Sequence, residues 1–310
     1  MKLSVIICSH NPKKDILTKV VDSLKIQTWG VNNWELILVD NSSIPNISSW
    51  LNLSWHPNAT IILEQKLGLS HARIFGVQHS TSDLIIFVDD DNILNPNYLK
   101  EALKFHQQYP QVGCFGGKSI PQFESQPPKW FFQCGINLGC QEYGDEPYIS
   151  DYRTKSFKIK NYPIKAPIGT GMVILKSAFM KYLEEAQNDA KRMALGRKGK
   201  ALTSGEDNDI ILTLVKKGYE IAYVPSLMVT HLIPQNRYSL TYLKKMAYES
   251  NRSWVKVLEI HSINPWKKIS KFSLPLRALK AFITHRPWQS EEKSIQYQAA
   301  LGKFKGQSEI

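Results

Sequence analysis

The stretch Leu84-Ile85-Ile86-Phe87-Val88, followed at once by Asp89-Asp90-Asp91, decides the fold. A run that is apolar on both faces is typical of a strand covered by helices on both sides. Three adjacent carboxylates repel one another, so acids at the end of such a strand need a compensating cation. Mg²⁺ and Mn²⁺ prefer oxygen ligands and also bridge to phosphate oxygens. We therefore predict a divalent-metal site here; the alternative is a solvated turn whose acids cap a helix near Pro96.

The chain before this stretch repeats the same kind of strand, separated by amphipathic segments. Residues with the spacing of a helix face fill Asp15 to Gln27 and Leu69 to His79. Strands alternating with helices predict a doubly wound α/β domain. The further apolar runs are Leu3 to Cys8, Leu36 to Val39 and Thr60 to Leu63.

Polar residues stand directly after two more of these runs. Ser9-His10-Asn11 follows the first run, and Asp40-Asn41-Ser42 follows the second. Ligands of such sheets bind at the carboxyl ends of the strands, which meet at one edge when the strands are parallel. We expect these clusters to share an edge with Asp89-Asp90-Asp91.

The residue composition of the chain changes after Cys114. Gly116-Gly117 and many further glycines and prolines predict a loop-rich binding lobe, and its aromatic residues include Phe123 and Trp130. Helical patterns then return at Ser177 to Leu195 and at Asp209 to Lys217, a strand follows at Glu220 to Val224, and the tail from Tyr238 is again helical.

A second acidic cluster, Ser204-Gly205-Glu206-Asp207-Asn208-Asp209, precedes an apolar helical pattern. Ser204 and Asp207 match a capping box, and acids stabilise the start of a helix. Capping requires only one or two acids, whereas this turn has three. A carboxylate here is therefore also a candidate general base.

Composition limits the class of protein. The 310 residues include four cysteines without metal-ligand spacing, which indicates free thiols in a reducing compartment. The chain enters its first strand at once, so we expect no signal peptide and a cytoplasmic location. From Asn236 onward, 14 Lys and Arg face 5 Glu, which favours an anionic partner such as a membrane surface.

Together these motifs resemble the family-2 glycosyltransferases of the GT-A fold, over roughly Leu3 to Arg237. The resemblance implies a Rossmann-like mixed sheet flanked by helices, followed here by a C-terminal helical extension. It rests on five motifs in the right order: Ser4-Val5-Ile6-Ile7-Cys8-Ser9-His10-Asn11, Leu38-Val39-Asp40-Asn41-Ser42-Ser43, Gly68-Leu69-Ser70-His71-Ala72-Arg73, Phe87 through Asn92, and Gly205-Glu206-Asp207.

The resemblance also implies a role for each matching residue. A nucleotide-sugar would contact the ends of the first strands, Arg73 would hold its diphosphate, and a DxD-like motif with a histidine would bind Mn²⁺ or Mg²⁺. The implied nucleotide-sugar contacts are Cys8, His10, Asp40, Arg73, Asp89, Asp90, Gly117 and Gly171; the metal ligands are Asp89, Asp91 and His231; the catalytic residues are Asp207 as base and Glu206; and the acceptor contacts are Trp130 and Glu206.

The expected reaction is inverting transfer of a sugar from a nucleoside-diphosphate sugar to a hydroxyl of a saccharide or lipid-linked acceptor, in polysaccharide or cell-surface glycan biosynthesis. A nucleotidyltransferase acting on sugar phosphates and a non-catalytic carbohydrate-binding relative remain as alternatives. The basic tail suggests peripheral contact with the inner membrane face, or a helical extension that only exposes its lysines; no nucleic-acid partner is expected. The expected organisation is a donor-binding half at 1–115, an acceptor-binding and catalytic half at 116–235, and a helical extension at 236–310.

Overall fold

The computed structural model describes residues 3–150, 160–199 and 201–310. Four parallel strands form one side of its sheet, with β1 between β2 and β4, and β3 beside β2. Their side chains are almost all buried in β1, β2 and β4, as expected for strands that helices cover on both faces. The four predicted strands are confirmed as β1 Leu3–Ser9, β2 Trp34–Asp40, β3 Ala59–Leu63 and β4 Leu84–Asp89.

Antiparallel strands complete the sheet. Its order among the described residues is β3-β2-β1-β4-β8-β6-β9-β5, with β7 paired to β9, so the sheet is mixed as predicted. Antiparallel register is seen for β4 with β8, β6 with β8, and β9 with β5 and β7. These strands are β5 Asn92–Leu94, β6 Val112–Phe123, β7 Tyr148–Ser150, β8 Val173–Leu175 and β9 Glu220–Ile233.

Helices bury both faces of the sheet. Successive residues of a strand point to opposite faces, so Val5 and Ile7 of β1 belong to one apolar cluster and Ile6 to the other. Helices α1 and α3 pack in the first cluster, and α2, α5 and α7 in the second. The described helices are α1 Lys14–Lys25, α2 Leu69–His79, α3 Tyr98–Gln108, α4 Lys129–Gln133, α5 Lys176–Ala186, α6 Ala190–Met193, α7 Glu206–Lys216, α8 Leu240–Ile260, α9 Leu274–His285 and α10 Glu291–Gln307.

Strand β6 corrects one prediction. Gly116-Gly117 does not interrupt the chain, because β6 continues through both residues as a 12-residue strand. A Cβ on Gly117 would lie 2.0 Å from the carbonyl oxygen of Leu227 and 2.3 Å from that of Val224. Glycine is therefore required here so that the backbones of β6 and β9 can approach closely. Pro225 likewise lies within β9, which continues well beyond the predicted end at Val224.

The chain divides into two compact units. The first contains the sheet and comprises Met1–Gln122, Gly139–Asp189 and Ile210–Leu232. The second comprises Phe123–Leu138, Ala190–Asp209 and Ile233–Ile310. The predicted halves 1–115 and 116–235 thus both contribute to the first unit, whereas the predicted extension 236–310 belongs to the second.

In the second unit, α8 and α10 pack closely. A Cβ on Gly302 of α10 would lie 2.0 Å from the carbonyl oxygen of Tyr248 in α8, so glycine permits this contact. Arg252 and Lys256 of α8 pair with Glu309 at 2.8 Å each. Among the described helices, none combines the length and hydropathy needed to cross a membrane. The four cysteines are free thiols, as predicted.

Candidate active site

The carboxyl ends of the parallel strands meet at one edge of the first unit. Ser9 lies opposite Asp40 in the β1–β2 register, and Cys8 lies opposite Asp89 in the β1–β4 register. The Ser9 hydroxyl donates a hydrogen bond to Asp90. The three polar clusters predicted from the strand ends therefore share an edge.

Asp40 organises the loop that follows β2. Its Oδ1 accepts the Ser43 N–H at 2.9 Å and its Oδ2 accepts the Ile47 N–H at 2.7 Å. The residue is only 2% exposed. Each carboxylate oxygen retains a second lone pair, so Asp40 can accept a further bond, but in the structure it primarily holds this loop.

Two residues outside the predicted site join the loops at this edge. Asn41 donates to the carbonyls of Glu64 and Lys66 and accepts the Gly68 N–H, which ties the end of β2 to the start of α2. Asn11 has a left-handed φ of 51° and accepts the Ile44 N–H at 2.8 Å. Both belong to polar clusters noted in the sequence, but their partners lie more than 20 residues away along the chain.

His10 lies at the same edge. Its Nδ1 is 2.7 Å from the Asn41 carbonyl oxygen, so this nitrogen carries a proton and donates. Its Nε2 is 3.0 Å from the amide nitrogen of Asn11 and accepts from it. The ring is thereby held in one orientation beside the loops that follow β1 and β2.

Arg73, which is buried, forms an ion pair with the partly exposed Asp89. The guanidinium Nη2 of Arg73 is 3.4 Å from Oδ1 of Asp89, and Arg73 is only 3% exposed. Its Cζ also lies 5.2 Å from the centre of the Phe87 ring. The Asp89 side chain is 33% exposed, so the guanidinium of the buried Arg73 reaches the edge of the sheet through this ion pair. The contacts with Asp89 and Phe87 fix its orientation.

Asp91 and His231 lie together where β5 pairs with β9. Oδ2 of Asp91 is 3.2 Å from Nε2 of His231, and Oδ1 accepts from Nδ2 of Asn92 at 3.0 Å. Asn92 lies opposite His231 in the β5–β9 register, which explains this proximity. Nδ1 of His231 is 3.7 Å from Sγ of Cys140. Asn92 belongs to the matching motif Phe87 through Asn92 but was given no role, and Cys140 was not indicated by the sequence.

The predicted metal ligands Asp89, Asp91 and His231 do not form one cluster. Among residues 3–150, 160–199 and 201–310, no group of three or more His, Cys, Asp or Glu side chains is arranged to hold a metal. Asp89 turns instead to Arg73, which already supplies a positive charge. The Asp91 and His231 pair does fit a shared ion, because two ligands of an octahedral ion, each about 2.1 Å from it, lie about 3 Å apart.

The two glycines predicted to approach the donor have packing roles. The site of a Cβ on Gly117 is filled by the β9 backbone, as described above. A Cβ on Gly171, whose φ is 69°, would lie 2.7 Å from both the Tyr98 hydroxyl and Val229. Burial raises the pKa of Tyr98, so its hydroxyl stays protonated and donates to the Gly171 carbonyl. Neither glycine needs a ligand to explain it.

The predicted base belongs to the second unit, in the first turn of α7. Oδ1 of Asp207 accepts the Asn208 N–H at 3.0 Å, and the side chain is half-buried. Glu206 is 3% exposed. The start of this helix is anchored by Asp209, whose Oδ1 lies 2.6 Å from Nε2 of His261 and 3.6 Å from Nη1 of Arg192. His261, 52 residues further along the chain, was not predicted.

Aromatic residues of the second unit form a cluster around α4. The ring of Phe123 lies 5.5 Å from both Phe131 and Tyr238, and the Tyr238 hydroxyl hydrogen-bonds to Ser125. Trp130, predicted to contact an acceptor, is half-buried in α4, whereas Phe132 is 65% exposed. Phe132 therefore offers more open ring surface than Trp130.

The strand edge, its loops and Asp91 fall in a segment with known relatives, whereas His231 lies beyond that segment. The family model for "Glycosyl transferase family 2" matches residues 4–183, which is more than half of the chain. The chain belongs to glycosyl transferase family 2. The match includes β1 from Ser4 onward, all of β2 and α2, and Asp89-Asp90-Asp91, and it confirms the family that the motifs indicated.

This family-2 protein has distant curated relatives. It is 22% identical over 158 residues to "Glucosyl-dolichyl phosphate glucuronosyltransferase" of Haloferax volcanii, covering 49% of this chain and 50% of that protein. It is 27% identical over 127 residues to "Amylovoran biosynthesis glycosyltransferase AmsE" of Erwinia amylovora, covering 39% and 46%. The matched segments span about half the length of these relatives.

Solved structures share the fold. The structure "GalNAc-T7 with UDP, GalNAc and Mn2+" matches with a TM-score of 0.55 and 15% identity, over 100% of this chain and 56% of that chain. At this identity the likeness concerns the fold alone. The predicted α/β class and GT-A fold are confirmed.

Proposed function

We propose that this family-2 protein is an inverting glycosyltransferase that moves a sugar from a nucleoside-diphosphate sugar to a hydroxyl of a saccharide or lipid-linked acceptor. The main support is the pairing of Asp91 with His231 at 3.2 Å, beside the Arg73–Asp89 pair at the carboxyl edge of the sheet. This edge combines carboxylate, imidazole and guanidinium groups, which suit a metal-bound diphosphate.

Arg73 is the proposed diphosphate contact. Its guanidinium is buried and oriented by Asp89 and Phe87, so it can donate to phosphate oxygens with little loss of side-chain freedom. Asp91 and His231 are the proposed ligands of Mn²⁺ or Mg²⁺, with Asp89 nearby. Such an ion supplies charge neutralisation for the departing diphosphate.

The nucleoside is proposed to bind against the loops that follow β1 and β2. His10 has a fixed ring that a base can stack on, and Asp40 keeps lone pairs for a base or ribose donor. Cys8 is half-buried at the end of β1, opposite Asp89. Asp90, which accepts from Ser9, is the proposed contact to the ribose or donor sugar.

Asp207 is the proposed catalytic base. The acceptor hydroxyl oxygen would attack the anomeric carbon as its proton passes to the Asp207 carboxylate, and the bond from that carbon to the diphosphate would break. The charge then resides on the nucleoside diphosphate. Glu206 is the proposed neighbour at the acceptor, together with the α4 aromatic cluster that contains Trp130 and Phe132.

The acceptor class rests on the names of the relatives. One of them is named for a dolichyl phosphate substrate and another for amylovoran biosynthesis, which supports a role in assembling a polysaccharide or cell-surface glycan. We further propose that the protein works in the cytoplasm, in peripheral contact with the inner face of the membrane.

A panel of nucleotide-sugars tests the donor assignment. Thermal unfolding is followed with UDP-, GDP-, dTDP- and CMP-linked sugars, each with Mn²⁺ and with EDTA. At least one nucleoside-diphosphate sugar is expected to raise the Tm by several degrees only when Mn²⁺ is present, since a ligand that binds only the folded state stabilises it. A panel without any metal-dependent shift would refute the proposal.

A further inference from the structure

Helix α9 has two apolar faces, of which only one is covered. Leu274, Ala278, Ala281 and His285 recur at the spacing of one helix face and are the shielded residues of this helix. Ala281 is 5% exposed. The helix packs against α10, and Arg277 lies 5.8 Å from the ring of Phe304 in that helix. The four shielded residues account for the attachment of α9 to the second unit.

The other apolar face, here called the outer stripe, consists of Leu276, Leu279 and Ile283. Their exposed fractions are 73%, 56% and 61%. At 100° per residue the three side chains lie within about 60° of one another and roughly 160° from the centre of the covered face. The outer stripe therefore points away from the helix's own packing contacts.

Exposed aromatic side chains flank the outer stripe along the chain. Phe272 before the helix is 97% exposed, and Trp288 after it is 61% exposed. Phe282 lies 4.9 Å from Trp288 and is itself 42% exposed. Six of the fifteen large exposed hydrophobic residues in the described chain fall between 272 and 288. Scattered exposed apolar residues are ordinary, but a concentration of this kind marks an interaction surface.

The charges around the outer stripe are of one sign. Residues 261–290 contain six Lys and Arg and no Asp or Glu. On the helical wheel Lys280 and then Arg277 lie to one side of the stripe. Arg286 follows the last residue of the helix. All six basic side chains are exposed; they are Lys267, Lys268, Lys271, Arg277, Lys280 and Arg286.

We propose that the outer stripe of α9 docks on an anionic lipid bilayer, with the helix lying in the plane of the interface. Apolar side chains would enter the acyl boundary, aromatic residues would lie at headgroup level, and the flanking cations would contact anionic headgroups. A second copy of the chain is disfavoured as occupant, because a self-complementary contact would bring two sets of the same cations together. This proposal rests on the membrane contact proposed above and assigns that contact to α9. It does not depend on the proposed sugar transfer.

Vesicle flotation with the full chain tests the proposal. The protein is expected to float with phosphatidylcholine vesicles that contain phosphatidylglycerol, and to stay at the bottom with phosphatidylcholine alone. The combined variant Leu276→Ser, Leu279→Ser and Ile283→Ser is expected to reduce partitioning about tenfold or more. The charge variant Arg277→Gln with Lys280→Gln is expected to reduce it and to weaken its dependence on salt.

The matched control is Ile26→Ser with Ile164→Ser, which removes two equally exposed apolar side chains, at 62% and 76%, from the other unit. It is expected to float like the unchanged protein. Circular dichroism and metal-dependent nucleotide-sugar binding of each variant show whether the fold and donor site are intact. Failure of the unchanged protein to float, or flotation of the triple serine variant at the same level, would overturn the proposal. If the unchanged protein does not float and sediments as a dimer, and the triple serine variant sediments as a monomer, the outer stripe would instead be a contact with a second copy of the chain.

Discussion

The imidazole Nε2 of His231 lies 3.2 Å from Oδ2 of Asp91, although the two residues are 140 positions apart in the chain. The pairing of Asn92 with His231 across β5 and β9 produces this contact. The contact joins the acidic segment that follows β4 to β9, the last strand along the chain. The carboxylate and imidazole together form the donor set that we propose for a divalent ion.

Replacing His231 tests that donor set. In His231→Ala, affinity for Mn²⁺ in the presence of the cognate nucleotide-sugar is expected to fall about tenfold or more, because one of two adjacent ligands is lost. Isothermal titration calorimetry measures this affinity. His79→Ala, which removes an exposed histidine at the end of α2, is the control and should leave it unchanged. Equal Mn²⁺ affinity in His231→Ala and the unchanged protein would remove His231 from the metal site.

Asp207→Asn is expected to lower the rate of sugar transfer at least about a hundredfold, since an amide cannot accept the acceptor proton. Donor binding by calorimetry should stay close to that of the unchanged protein. Asp22→Asn, which alters a carboxylate with a 53% exposed side chain, is the control for a lost charge. Transfer at the normal rate by Asp207→Asn would exclude this residue as the base.

The Asp209–His261 pair predicts a large effect on stability. Both side chains are fully buried, and Nε2 of His261 lies 2.6 Å from Oδ1 of Asp209. His261→Ala removes one partner and leaves a buried carboxylate with Arg192 at 3.6 Å, so the free energy of unfolding should fall by about 3 kcal/mol. Urea unfolding measures this change. His79→Ala, which removes an exposed histidine at the end of α2, is the control; a loss below about 1 kcal/mol in His261→Ala would contradict the structural role.

Gly117→Ala distinguishes packing from ligand binding. Its methyl group would lie 2.0 Å from the Leu227 carbonyl oxygen, so β6 and β9 must separate and stability should fall by about 3 kcal/mol or more. Gly30→Ala, at a loop position with a φ of −51°, should change stability little. Unaltered urea unfolding together with lost donor binding would instead support a ligand role for Gly117.

His56 predicts a pH dependence of stability. Burial lowers the pKa of His56 to about 4, and its Nδ1 accepts the Asn58 N–H at 3.1 Å in the neutral form. The His56 ring therefore binds a proton more readily in the unfolded chain than in the folded protein. The contribution of neutral His56 to stability is fully present above about pH 6.5 and is lost as the pH falls toward 4. His56→Phe should flatten the dependence of the unfolding free energy on pH within this window. An unchanged slope would show that His56 does not titrate in this way.

The sequence allowed good prediction of elements whose signal is local. The apolar runs of β1, β2 and β4 and the spacing in α2 are visible without knowledge of the fold. Strand β6 was missed because Gly116-Gly117 is an ordinary signal for a turn, and only the approach of β9 explains it. Local patterns are reliable where tertiary contacts do not override them.

Features of the site that depend on distant partners were not predictable in this way. The meeting of Asp91 and His231 was anticipated from resemblance, whereas the hydrogen bonds of Asn41 and Asn92 and the pairing of His261 with Asp209 were not. Amide and imidazole side chains occur throughout proteins, and their partners are set by strand register and helix packing. Asp89 was predicted as a metal ligand from the family resemblance, and its ion pair with Arg73 was not predicted.

The most direct test of the central claim is calorimetric binding of the cognate nucleotide-sugar, with Mn²⁺ and with EDTA, to the unchanged protein and to Asp91→Ala. A metal-dependent donor site predicts binding to the unchanged protein only with Mn²⁺ and an affinity about tenfold or more lower in Asp91→Ala. Equal binding in EDTA and in Mn²⁺, with no loss in Asp91→Ala, would contradict a nucleotide-sugar site built on Asp91 and His231.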